Sequence, residues 1–413
     1  MTQEAALKVL QSGRNVFLTG EPGAGKTYTI NLFKHWLEDK GIHPEMTAST
    51  GIAATHINGV TIHSWSGIGI KETLKDSDVQ LILQKPYVVN RILGAKVLII
   101  DEISMLNAKT LDNINTVVRA VKAQIDPHYG DKAFGGIQVI FVGDFFQLPP
   151  VTKFGLAKFA FESQAWPHAD PAICYLTEQH RQDDPEFLDI LTSLRAGKIE
   201  QRHKDRLKKC VRKAPAGITR LFTHNADVDL VNEEELAKIE GEERTFRMSS
   251  SGIPFMIEIL KKNCLSPEEL NLKIGATVMF TRNNFEEGYV NGTLGTVVDY
   301  YGNSPVVKTH DRSMITVKRT DWEIEENGYS KAKITQIPLR LAWAITVHKC
   351  QGMSLDAATI NLASAFEFGQ GYVALSRVRS LEGLYLEGIN VKAFEMHPTV
   401  VKKDGAFRKL SEI

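Results

Sequence analysis

NVFLTGEPGAGKTYTINLFKHWLEDKG, residues 15–41, decides the fold. Five residues of strand character run into GEPGAGKT (20–27), which matches G-x-x-x-x-G-K-[ST], and a helical repeat of Ile30, Phe33 and Leu37 follows, stopped by Gly41. Strand, glycine-rich turn and helix in that order form the context a phosphate-binding loop requires. The glycines let backbone N–H groups approach phosphate oxygens, Lys26 reaches the β and γ phosphates, and Thr27 is a magnesium ligand. Nucleotide contacts are therefore expected from Gly20, Glu21, Pro22, Gly23, Ala24, Gly25, Lys26, Thr27 and Tyr28.

Working outward, VLIIDE (97–102) is an apolar strand ending in two carboxylates. Beside a phosphate-binding loop, Asp101 is expected to hold magnesium and Glu102 to take the proton of the attacking water. GIQVIF then leads into VGDFFQLPP (142–150), where the prolines must end the strand and leave Asp144 and Gln147 at its carboxyl edge. Ligands bind at that edge in open α/β sheets, so Gln147 is placed to reach the γ-phosphate or its water. Asp144 has three open readings: it orients Gln147, contacts the opposite domain, or caps the turn.

Strands alternating with helical patterns through the first 180 residues predict a mainly parallel sheet with covered faces. A second α/β segment starts near DDPEFLDILTSLRAGKI, with Asp184 as cap, Pro185 as first helical residue and Ile190, Leu191 and Leu194 inward. Its further strands are read at RLFTH, ATVMF, AATIN and GLYL. Residues 287–337 alternate differently, with an Asn291-Gly292 turn, and read as a small antiparallel insertion.

Composition narrows the function classes. Lys plus Arg and Asp plus Glu both number 49, so any nucleic-acid site must be local. The four cysteines have no zinc spacing and point to a reducing compartment. The first residues carry no signal or transit pattern and no run matches a membrane span, so a cytoplasmic, nucleoid-associated protein without targeting or regulatory arms is expected, and no membrane partner. A switch GTPase would need an N-K-x-D segment, which the sequence lacks. The run KIEQRHKDRLKKCVRK (198–213), with eight basic and two acidic residues, is read as a solvated helix face in preference to a phosphate track.

GEPGAGKT, ASTGIAATHINGVTIHSW, LIIDEISML, VGDFFQLPPV, LTEQHRQ, PLRLAWAITVHKCQG and YVALSRVRSLEGL together resemble, in order, the motifs of Pif-type DNA helicases of the 5′-to-3′ branch of superfamily one. The resemblance runs from Gln3 to about Leu386. It implies an α/β fold of two RecA-like P-loop domains with parallel sheets, the first over 1–170 with a small insertion at about 66–95. The second covers 171–286 and 338–413, with 287–337 as a small β-barrel. It further implies that Gln3 reads adenine, that Gln147 senses the γ-phosphate, that Arg181 and Arg377 act as arginine fingers, and that Gly352 lies near the γ-phosphate. Thr50, His63 and Ser64 from the first domain and Thr346, His348 and Lys349 from the second would touch single-stranded DNA.

The implied activity is ATP- and Mg2+-dependent 5′-to-3′ unwinding of forked or tailed duplex by a chain that is a monomer in solution. The alternative is a DNA-stimulated ATPase that remodels or loads without unwinding. Residues 66–95 are the candidate strand-separating pin. Two departures stand out: Ser49 where many relatives have proline, and Cys350 where serine or alanine is usual. Loop stiffness is the most that either is expected to alter.

Overall fold

The computed structural model describes the chain apart from residues 58, 70, 72, 151–157, 179–183, 216, 223–225, 285, 290, 310–311, 327–328, 348–354 and 413. It divides into two compact units, Met1–Arg181 with Arg195–Gly197 and Met396–Ile413, and Gln182–Leu194 with Lys198–Glu395.

The first unit is built on a six-stranded sheet, β1 (Val16–Gly20), β2 (Glu45–Ala48), β3 (Val60–Thr61), β4 (Val97–Asp101), β5 (Gln138–Val142) and β6 (Ala172–Leu176). The order is β3-β2-β4-β5-β1-β6 and every pairing is parallel. Successive strand residues point to opposite faces, and the sequence uses both. Val16, Leu18, Ile140, Val142, Cys174 and Leu176 pack with Leu10, Ile30, Phe33 and Leu37 of the helices Gln3–Gln11 and Lys26–Glu38. On the other face Phe17 meets Trp166 and Phe407, each with ring centroids 5.1 Å apart, and Phe141 stacks on Trp166 at 4.8 Å. Each such buried ring or aliphatic group contributes about 1.5–3 kcal/mol.

Phe407 lies on the C-terminal helix Pro398–Ser411. The sequence reading gives residues up to 413 to the second domain, whereas Met396–Ile413 groups with the first unit. Phe407 supplies the apolar cover that Phe17, Phe145 and Trp166 need. Within the candidate insertion at 66–95 lie the helices Asp76–Leu83 and Pro86–Gly94.

The second unit has a four-stranded parallel sheet, β18-β7-β19-β20, made from β7 (Arg220–Phe222), β18 (Ala344–Thr346), β19 (Ala358–Leu362) and β20 (Leu384–Ile389). The antiparallel part is wider than 287–337. It includes β8 (Arg244–Arg247), β9 (Ser249–Gly252), β10 (Glu269–Leu272), β11 (Thr277–Phe280) and β17 (Leu339–Leu341). ATVMF, expected in the parallel sheet, is β11 and pairs antiparallel with β12 (Leu294–Tyr301) and β17. A four-residue buried run has no periodicity that separates the two kinds of sheet. The larger antiparallel sheet has the order β14-β13-β12-β11-β17, with β13 at Ser304–Thr309 and β14 at Met314–Thr316. Among the described residues it is open-edged, and β15 (Thr320–Glu326), β16 (Tyr329–Gln336) and β9 form a separate three-stranded sheet.

As expected, the helix Pro185–Arg195 is capped by Asp184, whose Oδ1 accepts from the N–H groups of Glu186 and Phe187, both at 3.1 Å. On the basic run Arg206 pairs with Glu186 at 2.8 Å and Arg202 with Asp189 at 3.0 Å. No helix among the described residues is long and apolar enough to cross a membrane.

Candidate active site

Strand order places the loops of interest side by side. With β4, β5 and β1 adjacent and parallel, the Asp101-Glu102 pair, the Asp144–Gln147 turn and the phosphate-loop residues all leave the same edge of one sheet.

The loop after β1 has the backbone its glycines allow. Gly23 and Gly25 take φ of 89° and 83°, in the left-handed region that L side chains resist. Gly25 is the N-terminal cap of the helix Lys26–Glu38, so the helix's first N–H groups face the loop. Lys26 Nζ donates to the carbonyls of Gly20 at 2.9 Å and Glu21 at 3.1 Å. Gln3 lies against the same turn: its Nε2 donates to the Ala24 carbonyl at 3.2 Å, and a Cβ on Gly25 would collide with it. The Gln3 N–H donates to Glu178 at 2.9 Å. Tyr28, one turn into the helix, is 59% exposed.

At the end of β4, Glu102 has φ 50° and ψ 46°, a left-handed conformation rare outside glycine. Hydrogen bonds on both sides of it hold it. Its own N–H donates to Asp101 Oδ1 at 2.8 Å, the Ser49 N–H donates to the Asp101 carbonyl at 3.1 Å, and the Ser49 hydroxyl donates to the Glu102 carbonyl at 2.7 Å. The Ser49 departure thus has a specific consequence, since proline could make neither Ser49 bond. Burial raises the Asp101 carboxyl above the usual carboxylate range, while the Glu102 N–H and the Lys26 charge oppose that shift. A carboxylate at this strand end and the hydroxyl of Thr27 in the first turn of the helix are the hard oxygen donors magnesium prefers, and magnesium needs few protein ligands when phosphates supply the rest.

Asp144 is fully buried. Its Oδ1 accepts from the Phe146 N–H at 3.1 Å and its carbonyl from the Gln147 N–H at 3.0 Å, so it caps the turn that presents Gln147. Its Oδ2 accepts from Arg195 Nη1 at 2.6 Å. Arg195, only 2% exposed, is a residue that sequence reasoning passed over. Phe145, Phe146 and Trp65 are buried.

Of the strand-contacting candidates, Thr50 precedes the helix Gly51–His56 and accepts from the Ala53 N–H at 3.3 Å. His63 and Ser64 lie on the helix Ile62–Trp65, capped by Thr61. Because β2 and β3 pair in parallel, with Ala48 opposite Thr61, both groups emerge at adjacent strand ends. Burial holds the His63 imidazole below its usual value, which favours its neutral form. Thr346, at the end of β18, is 1% exposed. Arg377 is equally buried; its Nε donates to the Val373 carbonyl and its Nη2 to the Ser376 hydroxyl, both at 2.9 Å. Arg181, His348, Lys349 and Gly352 lie outside the described residues.

A glycine-rich loop closing onto a helix, with a carboxylate pair two strands away on an all-parallel sheet, defines the P-loop nucleotide-binding class. The family model for PIF1-like helicase matches residues 2–205, and that for the DNA helicase Pif1 2B domain matches 256–300. An ATP-dependent DNA helicase Pif1 from Psychrobacter sp. is 42% identical over all of this chain and 71% of its own length. The chain belongs to the PIF1-like helicase family. The crystal structure of Bacteroides sp Pif1 in complex with ADP-AlF4 is 31% identical, with a TM-score of 0.85 over 98% of this chain and 96% of that one. The Bacteroides Pif1 complex with ADP-AlF3 and ssDNA matches over the same shares with a TM-score of 0.66. The chain spans 62% of the length of the Homo sapiens relative, ATP-dependent DNA helicase PIF1.

Proposed function

We propose that this chain is an ATP-dependent DNA helicase that moves 5′ to 3′ along a single strand and opens forked or tailed duplex. The observation that carries the reading is the adjacency of β4, β5 and β1, which brings Glu102, Gln147 and the glycine-rich loop to one sheet edge. That relatives are named ATP-dependent DNA helicases, and that one is solved with ADP-AlF3 and ssDNA, supports it.

In this reading the phosphate loop, Gly20 to Thr27, grips the nucleotide, Gln3 and Tyr28 border the base, and Lys26 leaves its loop carbonyls for the β and γ phosphates. Glu102 accepts the proton of the attacking water, which Gln147 orients. Thr27 and Asp101 would hold magnesium, which would supply charge neutralisation on the phosphates. Arg181 and Arg377 stabilise the charge developing in transfer, with Gly352 near the same phosphate. Thr50, His63, Ser64, Thr346, His348 and Lys349 hold the DNA backbone, so little sequence preference follows. We also read the parallel-sheet parts of the two units as RecA-like domains, the first extending through β6 and taking in the C-terminal helix, read the isolated chain as a monomer, and place it with the nucleoid. A related structure of two coordinating Pif1 helicases on forked dsDNA makes copy number on the fork a separate question.

The test is ATP turnover with and without single-stranded DNA, in the wild type, Lys26→Ala and Gln147→Ala. Stimulated turnover, lost in Lys26→Ala and uncoupled from DNA in Gln147→Ala while nucleotide still binds, supports the assignment. Turnover indifferent to DNA would indicate a metabolic phosphotransferase instead.

A further inference from the structure

Behind the Asp144–Gln147 turn lies a cluster of buried and half-buried charges that the motifs do not mention. Arg195 Nη1 donates to Asp144 Oδ2 at 2.6 Å, and Arg195 Nη2 donates to the Tyr175 hydroxyl at 2.7 Å. Arg408 Nη2 donates to the same hydroxyl at 2.7 Å, and that hydroxyl donates in turn to Asp404 Oδ1 at 3.0 Å. Arg408 Nε closes the ring on Asp404 Oδ2 at 2.8 Å, and Arg195 lies 3.7 Å from Asp404 Oδ1. Two guanidinium groups and two carboxylates thus balance around one phenol that gives one bond and accepts two, its full capacity. Burial pushes the Tyr175 phenol up, keeping it a proton donor at any working pH.

The cluster touches the site at two places. At one end Asp144 caps the turn that carries Gln147, and the Arg195 guanidinium also lies 4.3 Å over the Phe146 ring of that turn. At the other, Arg408 approaches Glu21 of the phosphate loop at 3.9 Å. Asp404 and Arg408 come from the C-terminal helix, and Ser411 of the same helix accepts from the Tyr175 N–H at 3.0 Å. Arg195 is the residue at which the chain enters the first unit, the preceding Gln182–Leu194 belonging to the second.

We propose that Arg195, Tyr175, Asp404 and Arg408 are positioning residues for ATP hydrolysis, fixing the Asp144–Gln147 turn against the phosphate loop, and that the C-terminal helix is thereby a working part of the nucleotide site. This rests on the reading of Gln147 as the γ-phosphate contact. One planar guanidinium that bonds Asp144 through Nη1 and the Tyr175 hydroxyl through Nη2 fixes the two partners relative to each other, which a lysine's point charge cannot do. A loosened turn still binds nucleotide through the loop but presents Gln147 less often in register, so the loss falls on kcat and not on KM.

The experiment measures DNA-stimulated ATP turnover by the full chain carrying Arg195→Met, Arg195→Lys, Tyr175→Phe or Asp404→Asn, at a temperature where each variant is folded by circular dichroism. Arg195→Met is expected to lower kcat about tenfold or more, with KM for ATP within about threefold of wild type. Arg195→Lys should recover only part of that loss. Tyr175→Phe, which removes one oxygen and keeps the ring packing, should show a smaller fall of the same kind. If all four fold and keep wild-type kcat while losing only thermal stability, the cluster is structural and the proposal is overturned. A wild type without DNA-stimulated turnover would instead remove the functional reading beneath it.

Discussion

The Ser49 hydroxyl donates to the Glu102 carbonyl at 2.7 Å, holding the expected catalytic base in a left-handed conformation while Thr50, the next residue, begins the loop expected to meet DNA. A non-glycine residue in that conformation costs about 1–2 kcal/mol, which the surrounding bonds must offset. Ser49→Ala removes one of them, worth about 0.5–1.5 kcal/mol, and Ser49→Pro removes the N–H bond as well. DNA-stimulated kcat should fall in the order wild type, Ser49→Ala, Ser49→Pro, with ATP binding little changed. Steady-state ATP turnover at saturating DNA checks this; an unaltered kcat in Ser49→Pro would show that Glu102 keeps its place without Ser49.

Glu102→Gln keeps the shape of the side chain and removes its basicity. Turnover should drop by about two to four orders of magnitude, the usual share of a general base. Nucleotide binding, read by a fluorescent ATP analogue, should persist. Turnover within a few-fold of wild type would reassign the proton acceptor.

Gly25→Ala combines two faults, a side chain at φ 83° and a collision with Gln3 Nε2. It should raise KM for ATP sharply while leaving the fold intact. Adding Gln3→Ala relieves the collision but not the backbone strain, so partial recovery in the double variant would separate the two causes. No recovery would assign the whole loss to the backbone.

Glu45 accepts from the Trp65 indole N–H at 2.8 Å. Burial raises its carboxyl above the usual value, against the Trp65 bond and the Arg91 charge. A raised pKa in the folded state means stability that is present below about pH 4.5 and lost as pH rises through the folded value. Glu45→Gln keeps the indole's acceptor and has no charge to bury. Its melting temperature should therefore gain on the wild type between pH 4 and pH 7, and a gap that stays constant with pH would contradict the assigned cause.

How much of this was legible in the sequence depended on whether a local rule existed. The strand, glycine turn and helix around Gly25 and the strand ending at Asp101 were, because such local patterns constrain neighbouring residues. The helix Pro185–Arg195 was too, since Asp184 and Pro185 signal its start locally. The Asp144–Arg195 pair was not: it joins positions 51 residues apart, and no periodicity links them. The return of Pro398–Ser411 to the first unit was hidden for a related reason, as an apolar stripe shows that a helix face is buried but not against which sheet. Ser49 was noticed as a departure, yet its bond to Glu102 depends on a β2–β4 pairing that only the folded sheet supplies.

The most direct measurement for the helicase reading is strand release from two forked duplexes, one with a single-stranded 5′ tail and one with a 3′ tail, in the presence of ATP and magnesium. Release from the 5′-tailed substrate that needs ATP hydrolysis and is lost in Lys26→Ala is the result expected. DNA-stimulated ATP turnover with no strand release, or release confined to the 3′-tailed substrate, would contradict it.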